Sequence, residues 1–189
     1  MTRLFSDAKG QFAQSLVISL LEAAGYRVQR FGVEEVLSEV KSVSNRGEGY
    51  LDLPPALWAL PDLLVLNLGT SAAGLVEVKF RTTFDDRTAR ELHAALGAQQ
   101  RHWPGTHTVL VVADPPGWPG GRYQDYLRVI RPDDLRALSP STPAAEGWAR
   151  LSAFGSVFVR AQTADGFHAE ADRLVPVIRA WATDRDTGR

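Results

Sequence analysis

Residues 61–81 read "PDLLVLNLGTSAAGLVEVKFR", from Pro61 to Arg81, and contain the clearest indication of the fold. Two apolar runs flank a turn of small residues, which predicts a pair of strands joined by a short connection. Asp62 heads the first run, and Glu77 and Lys79 lie inside the second. Because strand side chains alternate between faces, Glu77 and Lys79 share one face and Val76, Val78 and Phe80 share the other.

These three charges have a structural and a chemical interpretation. Pro-Asp often opens a turn, and Glu-x-Lys on a strand is often a solvated ion pair. However, "LVEVKF" is an apolar setting, and paired strands would bring Asp62 and Glu77 together at one end of the sheet. Two close carboxylates need a cation between them, and Mg²⁺ prefers oxygen ligands. Lys79 on the same face can orient or deprotonate a water, so the combination favours phosphodiester hydrolysis.

The elements around this pair predict an α/β fold with a central mixed sheet flanked by helices. "QFAQSLVISLLEAAG" is an amphipathic helix, capped by Ser6 or Asp7 and ended by Gly25. A short strand follows in "YRVQRFG", then a shorter helix in "VEEVLSEVKSV" and a polar loop. "RTARELHAALGAQQRHW" predicts a helix, and "HTVLVVAD" and "DYLRVIRPDDL" predict strands, the second followed by a capped turn.

The chain is expected to divide into a core over residues 1–138 and a C-terminal extension over residues 139–189. In the extension, "SVFVRAQ" predicts a strand, and "HAEADRLVPVIRAWATD" predicts a helix interrupted at Pro176. The extension is a candidate for a homodimer surface or a specificity element.

Composition limits the class of protein. The chain has 189 residues, no cysteine and a net charge of -1, which excludes disulfides and a protein that coats nucleic acid through bulk charge. No apolar run reaches the roughly 18 residues of a membrane span, so we expect a cytoplasmic protein. Only three of the 21 basic residues are lysines, and the presence of Lys79 in a strand is either chance or a sign that the site needs a compact ammonium.

Other chemistries lack their motifs. The four histidines show no HxxxH or HExxH spacing for zinc, and there is no G-x-S-x-G turn for a serine nucleophile. "GTSAAG" lacks the lysine of a nucleotide-binding loop.

Pro61–Asp62 followed by "EVK" at Glu77–Lys79 resembles the signature of the PD-(D/E)xK nuclease superfamily, which includes restriction endonucleases and archaeal Holliday-junction resolvases. The resemblance covers roughly residues 9–114, including the Gly-x-x-x-Glu frame of the first helix, here "GQFAQ", and the Gly25–Tyr26 pair. It implies a restriction-endonuclease-like core and cleavage of DNA. By this resemblance Asp62, Glu77 and the Val78 carbonyl would bind Mg²⁺ or Mn²⁺, and Lys79 would activate the attacking water.

The chain departs from the family pattern at Gln14, where the first-helix acid would fall. Gln14 can support the site through its oxygen but brings no charge, so a weakened or inactive module that binds DNA or protein is the alternative function. Glu22 lies about 12 Å along the helix from Gln14 and cannot replace it. Other acids that can replace it are Glu34, Glu35, Glu48 and Asp52.

Two further residues are candidates for substrate binding. Arg81 shares the strand face of Glu77 and Lys79, and can meet a phosphate or pair with Asp85 or Asp86. Gln99 lies on the following helix, where such nucleases often place a polar residue that faces the site, although a solvated helix end also explains it. The five tryptophans are expected in the core or at interfaces, except that Trp118, in a Pro- and Gly-rich loop, can also stack on a base.

Overall fold

The computed structural model describes residues 2–36, 53–117, 121–139 and 141–183. Six strands form one sheet in the order β1-β2-β3-β4-β5-β6. The strands are β1 (Arg27–Arg30), β2 (Leu63–Asn67), β3 (Ala72–Thr83), β4 (His107–Asp114), β5 (Leu127–Ile130) and β6 (Ser152–Ala153). Only β3 and β4 pair in parallel among these strands. The predicted α/β class, with a mixed central sheet flanked by helices, is therefore confirmed.

The helices occupy both faces of the sheet. In chain order they are α1 (Thr2–Ala23), α2 (Val33–Val36), α3 (Pro55–Trp58), α4 (Asp86–His102), α5 (Tyr123–Tyr126), a 3-10 helix (Pro132–Leu138), α6 (Ala144–Arg150), α7 (Phe154–Val157), α8 (Arg160–Thr163), α9 (Phe167–Asp172) and α10 (Val175–Thr183). One buried cluster joins α1 and α7–α10 to the sheet, and a second joins α4, the 3-10 helix and α6 to the other face. No helix within the described residues has the length and apolarity that a bilayer span requires.

Local chemistry explains the two helices that matter most for the site. α1 ends where the sequence predicts, because Gly25 adopts a left-handed φ of 82° and the N–H of Tyr26 bonds the Leu21 carbonyl at 3.0 Å. Its start differs, since the helix begins at Thr2 rather than after a cap at Ser6 or Asp7. α4 begins at a cap in which the Asp85 carboxylate accepts from the Thr88 N–H at 2.7 Å.

The central pair of strands is the predicted hairpin. β2 and β3 pair antiparallel from Leu63 opposite Val76 to Asn67 opposite Ala72. β3 then continues to Thr83 alongside β4, so residues 77–83 extend past the point where β2 begins. The sheet therefore has an open step at Asp62, and the predicted site residues lie along it.

One predicted element of the C-terminal segment is wrong. "SVFVRAQ" is not a strand, because it contributes to helices α7 and α8. Phe154, Phe158 and Ala161 have the i, i+4, i+7 spacing of one helical face and are all buried, whereas Val159 is 57% exposed. The strand of this segment is instead β6, two residues long, at the edge of the sheet beside β5. The predicted break near Pro176 is confirmed, since α9 ends at Asp172 and α10 begins at Val175.

The structure describes only part of some sequence predictions. The helix predicted over residues 33–43 is described only as α2, and residues 37–52, with Glu48 and Asp52, lie outside the described residues, as does Trp118. The division at residue 138 stays a prediction, although aromatic side chains from beyond it lie in both buried clusters.

Candidate active site

The site begins at Pro61 and Asp62, at the step in the sheet. Leu63 faces Val76, so the same register places Pro61 opposite Val78. Pro61 has no N–H to give to the Val78 carbonyl. The Val78 N–H bonds a side chain instead, because Asp62 Oδ2 accepts a hydrogen bond from it at 2.7 Å. Since the N–H and C=O of one residue point to the same side of a strand, the Val78 carbonyl faces this step too.

Helix α1 holds the second oxygen of Asp62. The Gln14 amide nitrogen donates to Asp62 Oδ1 at 2.7 Å. Arg30 of β1 donates to Gln14 Oε1 at 2.9 Å and to Ser15 Oγ at 3.2 Å. Because Arg30 can only donate, it fixes which way the Gln14 amide points. Gln14 is thus brought to the site as predicted, but as a donor to Asp62, with its oxygen on Arg30.

Glu77 lies on the face of β3 that packs against α4. Its exposure is 5%, so its charge needs partners. Lys79 forms an ion pair with Glu77 Oε1, and Gln99 of α4 donates to Oε2 at 2.7 Å. The shared face of Glu77 and Lys79 predicted from the alternation is what the structure has. Gln99 is 9% exposed, so the interpretation of Gln99 as a solvated helix end is wrong. Its amide fixes the position of the Glu77 carboxylate.

Arg81 continues the same face but lies away from these contacts. It donates to the Phe80 carbonyl at 2.8 Å, and burial lowers the pKa of its guanidinium while the nearby Glu91 charge raises it. The alternative pairing with Asp85 or Asp86 is not formed: Asp85 caps α4, and Asp86 accepts from the Ala144 N–H at 2.7 Å.

A cavity of about 510 Å³ opens over the step. Its lining includes Gln14, Arg30, Glu35, Trp58, Asp62 and Glu77. Asp62 and Glu77 are therefore brought to one space, as predicted. Among the described residues no three histidine or acidic side chains group as a metal cluster, so Glu35 lines the cavity without completing a triad.

The donors at this step match a hard divalent cation in chemical type. Two carboxylates and one strand carbonyl supply oxygen, and nitrogen or sulfur ligands are not part of the set. The balance of charge differs from a three-acid site, because Lys79 pairs with Glu77 and Arg30 lines the same cavity. The residues present therefore fit Mg²⁺ or Mn²⁺ through Asp62, Glu77 and the Val78 carbonyl, with less negative charge to attract it.

Sequence reasoning missed Arg30 and Trp58. Arg30 follows Tyr26 and Val28 in the alternation of β1, which puts it on the face toward α1, but only the folded sheet places that face beside Asp62. Trp58 is 52% exposed at the cavity, so of the two locations expected for the tryptophans, core or interface, the core does not apply to it. The sequence feature that could have pointed to Trp58 is its position, three residues after Pro55 and four residues before Asp62.

Comparisons with known proteins place the fold in context. No protein-family model matches the chain, and no curated protein matches it. A solved structure that it resembles is Hjc, a Holliday junction resolvase from the archaeal hyperthermophile Archaeoglobus fulgidus. The match covers 79% of this chain and 99% of that one, with 14% identity and a TM-score of 0.42. This match assigns no role to any residue of this chain.

Proposed function

We propose that this protein is a metal-dependent DNA endonuclease of the PD-(D/E)xK type. The observation that carries the proposal is the convergence of Asp62 and Glu77 on one cavity, with Lys79 paired to Glu77. A buried acid and a lysine two residues apart on a strand are costly to keep together unless their partners are in place. Gln99, Gln14 and the Val78 N–H supply those partners.

Asp62, Glu77 and the Val78 carbonyl would hold Mg²⁺ or Mn²⁺. When bound, the ion supplies Lewis acidity toward a phosphate oxygen and lowers the pKa of a water. Pro61 supports the role of Val78, because the missing proline N–H leaves that carbonyl without a ladder donor from β2.

The chain's own residues then have distinct tasks. Lys79 orients the attacking water and offsets negative charge that develops on the phosphate. Gln99 and Gln14 are positioning residues that keep the Glu77 and Asp62 carboxylates in place. Arg81, further along the same strand face, contacts a phosphate away from the reacting one. DNA is the proposed partner, and a homodimer stays a prediction.

The test is cleavage of plasmid, branched and single-stranded DNA with Mg²⁺ or Mn²⁺. We expect Lys79→Ala to lower the rate by about 100-fold or more, while Lys9→Ala, which changes another lysine, leaves it within about twofold. Lys9 lies 5.7 Å from the Trp181 ring, outside the cavity. Thermal unfolding of both variants separates lost chemistry from lost fold. If the wild type cuts none of these DNAs with either metal, the catalytic proposal is wrong.

The second candidate is a module with a nuclease-like fold that binds DNA without cutting it. The hydrogen bonds from Arg30 to Gln14 and from Gln14 to Asp62 favour this candidate, because they give Asp62 Oδ1 a donor without a metal. Calorimetric titration with Mn²⁺ discriminates. An endonuclease should bind Mn²⁺ and lose that binding in Asp62→Asn, whereas a binding module should retain DNA and take up no Mn²⁺.

A further inference from the structure

Trp58 presents a large aromatic surface at the mouth of the candidate active site. Trp58 lines the cavity that Asp62 and Glu77 also line, and it is 52% exposed. By contrast, Trp148 is fully buried. An indole left in water beside two functional carboxylates forgoes the burial that usually stabilises such a side chain.

The backbone on either side of Trp58 is held by contacts from Gln99 of α4 and from Trp103, which follows α4. Trp103 donates from its indole nitrogen to the Ala56 carbonyl at 2.8 Å. Gln99 donates to the Ala59 carbonyl at 3.4 Å and, from the same nitrogen, to Glu77. The Gln99 side chain therefore links the end of α3 to the buried Glu77 carboxylate, and the backbone that carries Trp58 is held in place relative to Glu77.

Arg30 lies at the same cavity and adds positive charge. Its described hydrogen bonds go to the neutral groups Gln14 and Ser15, so no carboxylate in the described residues neutralises it by direct contact. The cavity thus offers a flat aromatic face, a guanidinium and two carboxylates that can hold a cation. A nucleotide has the matching parts, with a π-face on its base and negative charge on its phosphate.

We propose that Trp58 is a stacking platform for an unpaired nucleobase next to the scissile phosphate, with Arg30 contacting the adjoining phosphate. In an intact duplex both faces of a base are covered by its neighbours, so a ring on a short fixed helix reaches only an unstacked base. The substrate class is therefore DNA with a single-stranded or splayed segment at the cleavage point. This inference rests on the proposed action on DNA and names the DNA structure that the site accepts.

Binding of fluorescent DNA, measured by anisotropy with Ca²⁺ in place of Mg²⁺, tests the proposal. We expect Trp58→Ala to weaken binding of a single-stranded oligonucleotide by about tenfold to 100-fold, as expected for one lost base stack. Trp58→Phe should stay within about threefold of wild type because it keeps a ring. Binding of the matched duplex should change by less than about twofold in either variant.

Leu68→Ala is the matched control, since Leu68 is an exposed apolar residue, at 66%, in the connection between β2 and β3. It should leave both affinities unchanged. An oligonucleotide with one abasic position, moved stepwise along the strand, gives a second readout. At one position the loss of the base and the Trp58→Ala change should not add, because both remove the same stack.

The outcomes separate this inference from the proposed function. If wild-type protein binds single-stranded DNA and Trp58→Ala binds it equally well, the stacking role is wrong while action on DNA stands. If Trp58→Ala weakens duplex and single-stranded DNA to the same extent, selectivity for an unpaired base is wrong. If wild-type protein binds neither DNA, the proposed function fails first, and this inference with it.

Discussion

The orientation of the Gln14 amide group decides whether its nitrogen or its oxygen faces Asp62. Arg30 takes Gln14 Oε1, and Asp62 accepts from Gln14 Nε2. A metal ligand at this position must present oxygen, so the arrangement would have to be reversed, and Arg30 would then face a donor. Gln14, oriented by Arg30, therefore gives Asp62 Oδ1 a hydrogen-bond donor without a metal ion.

Replacing Gln14 with Glu gives a prediction with two opposite effects. Glutamate would place an oxygen against Asp62 Oδ1, and like charges repel. We expect metal-free Gln14→Glu to lose about 1 kcal/mol of unfolding free energy, and to bind Mn²⁺ about tenfold more tightly than wild type. Urea unfolding with and without Mn²⁺, together with calorimetric titration, measures both.

Gln29→Glu is the control for Gln14→Glu, because it makes the same chemical change on an exposed position of β1. It should alter neither quantity. Unchanged Mn²⁺ affinity in Gln14→Glu would show that position 14 does not face the cation.

The residues that the sequence could predict at the site are those fixed by local rules. Strand alternation puts Glu77 and Lys79 on one face, and the Pro-Asp pair marks the start of a strand. Both predictions needed no tertiary information. Arg30 and the donor role of Gln14 depend on how α1 crosses β1 and β2. Gln99 was a candidate from the resemblance, but its burial against Glu77 depends on the packing of α4.

At the level of elements, the C-terminal segment shows that the spacing of the buried residues decides between strand and helix. Val157 and Val159 in "SVFVRAQ" favour a strand by residue type. The buried positions are Phe154, Phe158 and Ala161, and Phe158 packs edge-on against Tyr26 at 5.9 Å between ring centroids. Burial of a helical face therefore overrides β propensity, and that face could be recognised only by including Phe154, which lies before the quoted run.

The short edge strand β6 pairs with β5 and is also bonded to one carboxylate, that of Asp134. Asp134, in the 3-10 helix, accepts two hydrogen bonds of 2.9 Å from the Arg131 side chain and one of 3.0 Å from Ser152 Oγ in β6. The hydrogen bonds from Arg131 lower the pKa of Asp134 below its ordinary 3.8, with burial opposing the shift. Asp134 therefore links the last strand of the sheet to the turn after β5.

This link predicts a pH-dependent stability. A lowered folded-state pKa means that the contribution is fully present above 3.8 and is lost as the pH falls through the folded-state value. We expect Asp134→Asn to lose about 1 kcal/mol at pH 7, a modest figure because Arg131 is half exposed. Below the folded-state pKa the difference from wild type should shrink toward zero.

Urea unfolding as a function of pH measures this dependence. Asp133→Asn, which removes the same charge from the adjacent exposed residue, should show no such trend. A constant gap between Asp134→Asn and wild type at every pH would contradict the assignment.

At the scale of the whole molecule, the sheet is stabilised from both faces by residues that lie late in the chain. On the α1 side, Phe154 and Phe167 are buried with Leu20 and Val65. On the α4 side, Trp148 packs on Phe84 with ring centroids 5.2 Å apart. The site at the step in the sheet therefore rests on strands whose faces are closed by the C-terminal segment.

A chain ending at Leu138 should consequently fail to fold. Truncating one buried aromatic residue to alanine typically costs 3–5 kcal/mol, roughly, against a total stability of about 5–15 kcal/mol. The shortened chain loses Trp148, Phe154 and Phe167 together, so its deficit exceeds what the remaining core supplies. We expect it to show no cooperative urea transition and no dispersed amide resonances.

Two point variants in the full chain test this expectation. They show whether the loss of stability comes from removing a buried side chain or from any change in the C-terminal segment. Phe167→Ala, at 2% exposure, should lose about 3–5 kcal/mol, whereas Val177→Ala, 40% exposed on α10, should stay within about 0.5 kcal/mol of wild type. Both are read by urea unfolding under the same conditions as the shortened chain. A cooperative transition of near-wild-type stability in residues 1–138 would show instead that the first 138 residues form a domain of their own, to which the rest is an addition.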